Sequence, residues 1–362
     1  MQQTGQSRSP ASVADAAAPE RPVALESWAL VADVGGTNAR FALVDDGAAS
    51  LRPQAPRTLP VADFASLADA ATHYLQQTLG QDRGAWPRRA AMAVATAITG
   101  DAVRMTNSPW SFSIAGLRDA LHLGELHLLN DFTALAWSVL TLQDEDLRQV
   151  GGGRPVVDQA RGLIGPGTGL GVSGLIPAPG GGWAALQGEG GHCSLSPADA
   201  REAAILAQVW QRYPHVSFER LVCGLGLPLL YEAVARVDGL PMPEPDGGAP
   251  TPAWISSQAL AGDPLCDATM RTFCAMLGSA AGNLALILGA RGGIYIGGGI
   301  VPRLGEWFDG TPFRQRFESK GRFDDYLARI PTYVIAGRTG DPALIGAAYA
   351  LLMASPRIAA SR

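Results

Sequence analysis

The side chains in this sequence that could do chemistry are four carboxylates, one histidine and the polar tips of two glycine-threonine turns. Asp33 stands alone among apolar neighbours from Trp28 to Val34, and a carboxylate in a strand that wants burial is costly unless a cation or hydrogen bonds meet it. The turn after it, Gly35-Gly36-Thr37-Asn38, leads into a second strand from Arg40 to Val44. Glycines there allow positive φ and let a ligand approach the backbone, while Thr37 and Asn38 add a hydroxyl and an amide. An ordinary hairpin reads the same way. A second copy shifts the balance, because Gly162 to Ile176 again runs strand, Gly167-Thr168-Gly169, strand. Two such units suggest two related halves facing one nucleotide, each offering N–H groups to phosphate oxygens.

Asp131 follows a strand expected at Glu125–Leu129, in the run Asn130-Asp131-Phe132-Thr133. Aspartate suits a helix N-cap, and the same position is the carboxyl end of a sheet, where α/β proteins put their ligands. Glu189 and His192 are three apart in a glycine-rich loop, a spacing that could aim both at one hydroxylated ligand or at a metal. The metal reading lacks further ligands nearby. Glu219 alone reads as a first-turn helix residue favoured by the dipole. The triple glycine Gly297-Gly298-Gly299 lacks the Gly-x-Gly-x-x-Gly spacing of a dinucleotide site and suits a loop on which an adenosine lies unobstructed.

Placing these groups needs a scaffold, and 362 residues fit two domains. Residues 1–26 read as a disordered extension rather than a signal peptide. Residues 27–140 read as a small α/β domain completed by a C-terminal helix, 333–355, and residues 141–332 as a large α/β domain, with 143–161 as a linker between them. Helices are expected from Asp63 as cap, from Ser113, from Pro197 to Tyr213, and from Asp263 to Leu288. Ala90 to Ala95 reads as a buried strand with Val103 to Thr106 as its partner, and Pro241 to Pro252 as a surface excursion. Thr272 to Ala290 carries no charge and nearly reaches bilayer length, yet Gly278, Gly282 and Asn283 and the absence of an aromatic belt favour a buried, closely packed helix.

Composition excludes several classes. A net charge of −5 without a basic cluster argues against nucleic acid or an anionic membrane as partner, leaving a small molecule. Lys320 is the one lysine, so neither a Gly-Lys-Ser/Thr phosphate loop nor the lysine of protein kinases has a counterpart. Four scattered cysteines make no disulfide framework and point to reduced thiols in the cytoplasm.

The wording Asp33-Val-Gly-Gly-Thr-Asn-Ala-Arg40 resembles the bacterial glucokinase family, whose fold is the two-domain, actin-like (ribonuclease H-like) ATPase fold with a cleft between domains. Met105-Thr-Asn107, Asn130-Asp-Phe-Thr133, Gly167-Thr-Gly-Leu-Gly171, Gly188-Glu-Gly-Gly-His192, Gly297-Gly-Gly-Ile-Val-Pro-Arg303 and Lys320-Gly-Arg-Phe323 extend the resemblance from Trp28 to Leu352. It implies transfer of the ATP γ-phosphoryl group to the 6-hydroxyl of glucose with Mg2+. Asp131 is then the general base, and Asn130, Asp131, Glu189, His192 and Glu219 meet the sugar. Ala32, Asp33, Val34, Gly35, Gly36, Thr37, Gly167, Thr168, Gly169, Gly297, Gly298 and Gly299 meet ATP, with Asp33 also holding magnesium. A homodimer is a further implication. Ala32 departs from a glycine often found before the aspartate. The related repressor and zinc-containing sugar kinase branch is disfavoured, since its cysteine cluster and DNA-binding helix pair are missing. A sugar-binding regulator without turnover and a nucleotide-driven ATPase of the same fold remain as other classes.

Overall fold

The computed structural model describes residues 28–45, 51–243, 248–336 and 341–354. The expected extension at 1–26 and part of the proline-rich excursion lie outside them. The first half runs β1 (Trp28–Val34), β2 (Asn38–Asp45), β3 (Gln54–Pro60), α1 (Leu67–Leu79), β4 (Arg89–Val94), β5 (Ala102–Arg104), β6 (Ser111–Ser113), α2 (Ile114–Ala120), β7 (Glu125–Asn130) and α3 (Asp131–Ser138). Its five strands line up as β3-β2-β1-β4-β7, an antiparallel meander followed by parallel neighbours.

The second half runs β8 (Leu147–Val150), β9 (Arg161–Pro166), β10 (Leu170–Pro177), β11 (Trp183–Gln187), α4 (Ala200–Trp210), α5 (Phe218–Leu221), α6 (Leu227–Asp238), α7 (Pro252–Leu260), α8 (Pro264–Leu288), β12 (Ile294–Ile296), α9 (Val301–Leu304), α10 (Phe313–Glu318), α11 (Asp324–Ala328), β13 (Thr332–Ile335) and α12 (Pro342–Ala354). Its sheet is ordered β11-β10-β9-β12-β13-β8. An antiparallel meander again gives way to parallel neighbours, β9, β12 and β13, with β8 added antiparallel at the edge. The two halves therefore share one strand plan.

Both faces of the first sheet are covered, so β1 is apolar at every position but Asp33. Leu30, Ala32 and Val34 pack toward α1 with Phe41 and Tyr74. Ala29 and Val31 pack toward Leu344, Ala347, Ala348 and Leu351 of α12. In the second half α8 is the core helix, buried through Cys274 to Ala281. It is long and apolar enough to cross a membrane, yet most of it lies inside the protein. Gly278 and Gly282 let it approach the α10 backbone, since a Cβ would lie 2.2 Å from Phe313 O and 2.6 Å from Phe317 O. Lys320 Nζ then donates to Ser279 O (3.2 Å) and Asn283 Oδ1 (2.8 Å), clipping the end of α10 to the same helix.

Several expectations shift. The helix expected from Asp63 begins at Leu67: Phe64 is extended, and the Ser66 hydroxyl, not Asp63, accepts from Asp69 N. Asp199, not Pro197, starts α4, its carboxylate accepting from Glu202 N. Val103 pairs with Phe112 in a separate ribbon rather than with β4, whose edges are already filled by β1 and β7. The linker expected at 143–161 contains β8, an edge strand of the second sheet. The boundary expected at 333 falls inside β13, and the return to the first half comes with α12.

Candidate active site

Asp33 sits one residue before the end of β1, opposite Arg40 across the hairpin. Arg40 Nη1 lies 2.9 Å from Asp33 Oδ2 and 3.3 Å from Asp341 Oδ2, so one guanidinium bridges two carboxylates. Asp33 is 17% exposed. Burial raises its pKa to about 6, Asp341 adds to the rise, and Arg40 offsets it only in part. Asp341 was invisible as a site residue in the sequence. Its side chain accepts from Ala343 N (3.1 Å) at the start of α12, which reads as ordinary capping until the fold brings it beside Arg40.

Positive φ does not account for the glycines of the two turns, since neither Gly35 and Gly36 nor Gly167 and Gly169 adopts it, and close approach accounts for Gly36 and Gly169. A Cβ on Gly36 would lie 2.4 Å from Asn107 O, so the Met105-Thr-Asn107 segment presses on the turn. A Cβ on Gly169 would lie 2.5 Å from Glu219 Oε2. Among the described residues, the N–H groups of Gly36, Thr37, Thr168 and Gly169 donate to no protein acceptor. Such groups are available to phosphate oxygens. Gly298 alone of the triple glycine has positive φ (76°), with Pro166 O close behind it.

Asp131 does not cap α3. Asn130 does, its Oδ1 accepting from Phe132 N (2.9 Å) and Thr133 N (3.3 Å) while its Nδ2 donates to Thr96 O (3.3 Å). Asp131 occupies the first helical position, with one oxygen accepting from Phe132 N at 2.8 Å. Burial raises its pKa, and Glu189 contributes in the same direction.

Phe132 explains two glycines. A Cβ on Gly171 would lie 2.1 Å from its ring and one on Gly165 2.4 Å, while one on Gly297 would make only ordinary contact with it at 3.7 Å. The ring next to Asp131 is seated in a slot of the second sheet, and α3 packs on Leu163, Leu175 and Tyr295 beyond it. Gly297, expected as an adenosine contact, is thus also a packing position, with Leu135 2.6 Å from where its Cβ would be.

A cavity of about 440 Å³ joins Asp33, Asp131, Asp341, Arg40, Gly297 and Gly298. Glu189, His192 and Glu219 lie outside that cavity on the second half. Glu189 and His192 are exposed, Glu189 preceding the short turn Gly190–His192 and His192 ending it. Glu219 Oε2 accepts from Leu170 N at 2.8 Å, and its Oε1 is 3.6 Å from His192 Nε2. The residues fit a hard divalent cation: Asp33 is a buried carboxylate whose charge Arg40 only partly compensates. Among the described residues no three His, Cys, Asp or Glu side chains cluster around a common point.

A sequence model of the glucokinase family matches residues 30–354. A glucokinase of Chromobacterium violaceum is 52% identical over 331 residues, 89% of each chain. The crystal structure of a glucokinase from an Antarctic psychrotroph superposes with a TM-score of 0.78 at 38% identity, covering 90% of this chain and 98% of that one. A ROK family glucokinase from Streptomyces griseus, solved with glucose and AMPPNP, shares the fold at a TM-score of 0.55 and 19% identity, over 89% and 98% of the two chains.

Proposed function

The chain belongs to the glucokinase family, and we propose that it transfers the γ-phosphoryl group of ATP to the 6-hydroxyl of glucose, the first step of glycolysis. The observation that carries the reading is the convergence of Asp33, from β1, and Asp131, from the start of α3, on one cavity edged by Gly297 and Gly298. In the reaction the sugar oxygen forms a bond to phosphorus, the bond to the ADP oxygen breaks, and the hydroxyl proton passes to the Asp131 carboxylate. The raised pKa of Asp131 moves it toward the working pH, where a general base is most effective.

Asn130, Glu189, His192 and Glu219 supply hydrogen-bonding groups for the remaining sugar hydroxyls, and a site built for hydroxyls rejects analogues that leave it unpaired. The turns at Gly35–Thr37 and Gly167–Gly169 offer N–H groups to the phosphates, with the loop Gly297–Gly299 under the adenosine. Asp33 would hold Mg2+, directly or through water; the ion when bound neutralises charge on the β- and γ-phosphates. Residues 27–140 with α12 form the small domain and the second sheet with its helices the large one. We further place the protein in the cytoplasm, as a homodimer.

ADP formation measured with and without glucose tests this reading. Glucose-dependent ADP supports it. Glucose binding without ADP would make the chain a sugar-responsive regulator, and ADP without glucose a nucleotide-driven ATPase. Asp131→Asn should keep the fold, because Asn130 does the capping, and lower kcat by roughly 10²–10⁴; a near-normal rate in the folded variant removes Asp131 from the chemistry.

A further inference from the structure

The segment 217–225 touches both ligand regions at once. At one end it is tied to the histidine loop: Phe218 N donates to Cys193 O (3.0 Å), Leu195 N donates to Val216 O (2.9 Å), and Ser194 and Ser217 form a bridge. At the other end it supports the second glycine-threonine turn, with Gly224 N donating to Gly167 O (2.8 Å) and Leu225 N to Thr168 O (3.4 Å). Glu219 lies between them. One carboxylate oxygen holds Leu170 N, the first residue after the turn, and the other faces His192 at 3.6 Å, beyond a direct hydrogen bond. His192 is 60% exposed and Glu219 32%, so both side chains keep surface open to solvent.

Resting on the reading of the site as a sugar kinase, we propose that Glu219, beyond its sugar contact, couples the two substrates, so that seating glucose on His192 and Glu219 sets the Gly167–Gly169 turn for the nucleotide phosphates. A sugar that draws His192 and Glu219 together moves the carboxylate whose second oxygen carries Leu170 N. No other side chain described at the turn bonds to its backbone on one side and faces a proposed sugar residue on the other. Coupling of this kind is reciprocal: the factor by which glucose tightens the nucleotide equals the factor by which the nucleotide tightens glucose.

The test is calorimetric titration of Mg2+-AMPPNP into the full chain, with and without saturating glucose, and of glucose with and without Mg2+-AMPPNP. In the unaltered protein each ligand should tighten the other by about 10-fold, within the usual range of such couplings. In Glu219→Ala glucose alone binds more weakly, because a proposed sugar contact is lost, and the coupling factor falls to about 1. Glu219→Gln, which keeps an oxygen for Leu170 N, should retain most of it. Gly169→Ala, whose methyl would lie 2.5 Å from Glu219 Oε2, displaces the carboxylate without removing it and should also lose the coupling. An unchanged factor in Glu219→Ala or Gly169→Ala overturns the inference, as does independent binding of the two ligands in the unaltered protein. Failure of that protein to bind glucose at all overturns the functional reading as well, so the two failures are distinguishable.

Discussion

The β1–β2 and β9–β10 hairpins occupy equivalent places in their sheets, yet the residue pair one step back from each turn differs completely. In the first hairpin that pair is Asp33 and Arg40. In the second it is Gly165 and Gly171. One hairpin puts charge there and the other puts space, and the ring of Phe132, from the helix that begins with Asp131, fills the space. The same strand plan thus supplies a cation-seeking carboxylate from one half and a seat for the proposed base from the other. A turn sequence of the Gly-Thr type identifies the plan but not which of the two jobs a hairpin does.

The sharpest way to break that comparison is to remove the charge. Asp33→Asn should lower turnover by roughly 10²-fold, the scale expected when a metal-positioning or charge-stabilising group is lost. Steady-state rates across a Mg2+ titration check it; an unchanged rate at low Mg2+ would leave Asp33 as a structural partner of Arg40 only.

Filling the space comes next. Gly171→Ala puts a methyl where Phe132 already lies and should destabilise by about 1–3 kcal/mol, the usual cost of overpacking. Urea unfolding measures this, and the cost should shrink in a Phe132→Leu background. Equal costs in both backgrounds would mean that something other than Phe132 excludes the side chain.

A smaller effect separates charge from stability. The Asp33 pKa rises from 3.8 to about 6 on folding, so between these values the folded protein holds a proton that the unfolded chain releases. Above pH 6 the buried charge opposes folding, and below about pH 4 it does not. Metal-free Asp33→Asn should therefore be more stable than the unaltered protein at pH 8, by about 1–3 kcal/mol, with the advantage gone below pH 4. Equal stability of the two at pH 8 would show that Arg40 compensates the carboxylate fully.

The smallest effect sharpens the comparison by contrast. Gly167 has open space where a Cβ would go and no positive φ, so Gly167→Ala should change stability by no more than about 0.5 kcal/mol. Any rise in the KM for ATP would then report on the nucleotide and not on folding.

The strand-turn-strand units, the buried helix α8 and the carboxylates were legible in the sequence because burial and turn chemistry leave local marks. Asp33 shows as a lone charge in an apolar run, and Asp131 as a polar residue at a strand end. The reasons for the glycines were not legible. Gly36 answers to Asn107, Gly169 to Glu219 and Gly171 to Phe132, each a partner tens of residues away that only the fold brings near. Asp341 was missed on the same ground, since a helix-capping aspartate carries no sign that Arg40 reaches it. The Asn130 and Asp131 pair was misordered because both residue types cap helices well, and only backbone geometry decides which one does.

Lys320 has a practical consequence. It is the single lysine of the sequence, and its amine is engaged by Ser279 and Asn283 of α8. Amine-directed chemistry on the folded chain, whether an acylating reagent, a crosslinker or an enzymatic acyl transfer, therefore finds one internal side chain, and finds it half-buried with two of its three N–H groups donated. The rate at which that amine reacts becomes a clock for the opening of α10 from α8, a built-in reporter of local breathing that needs no engineered label.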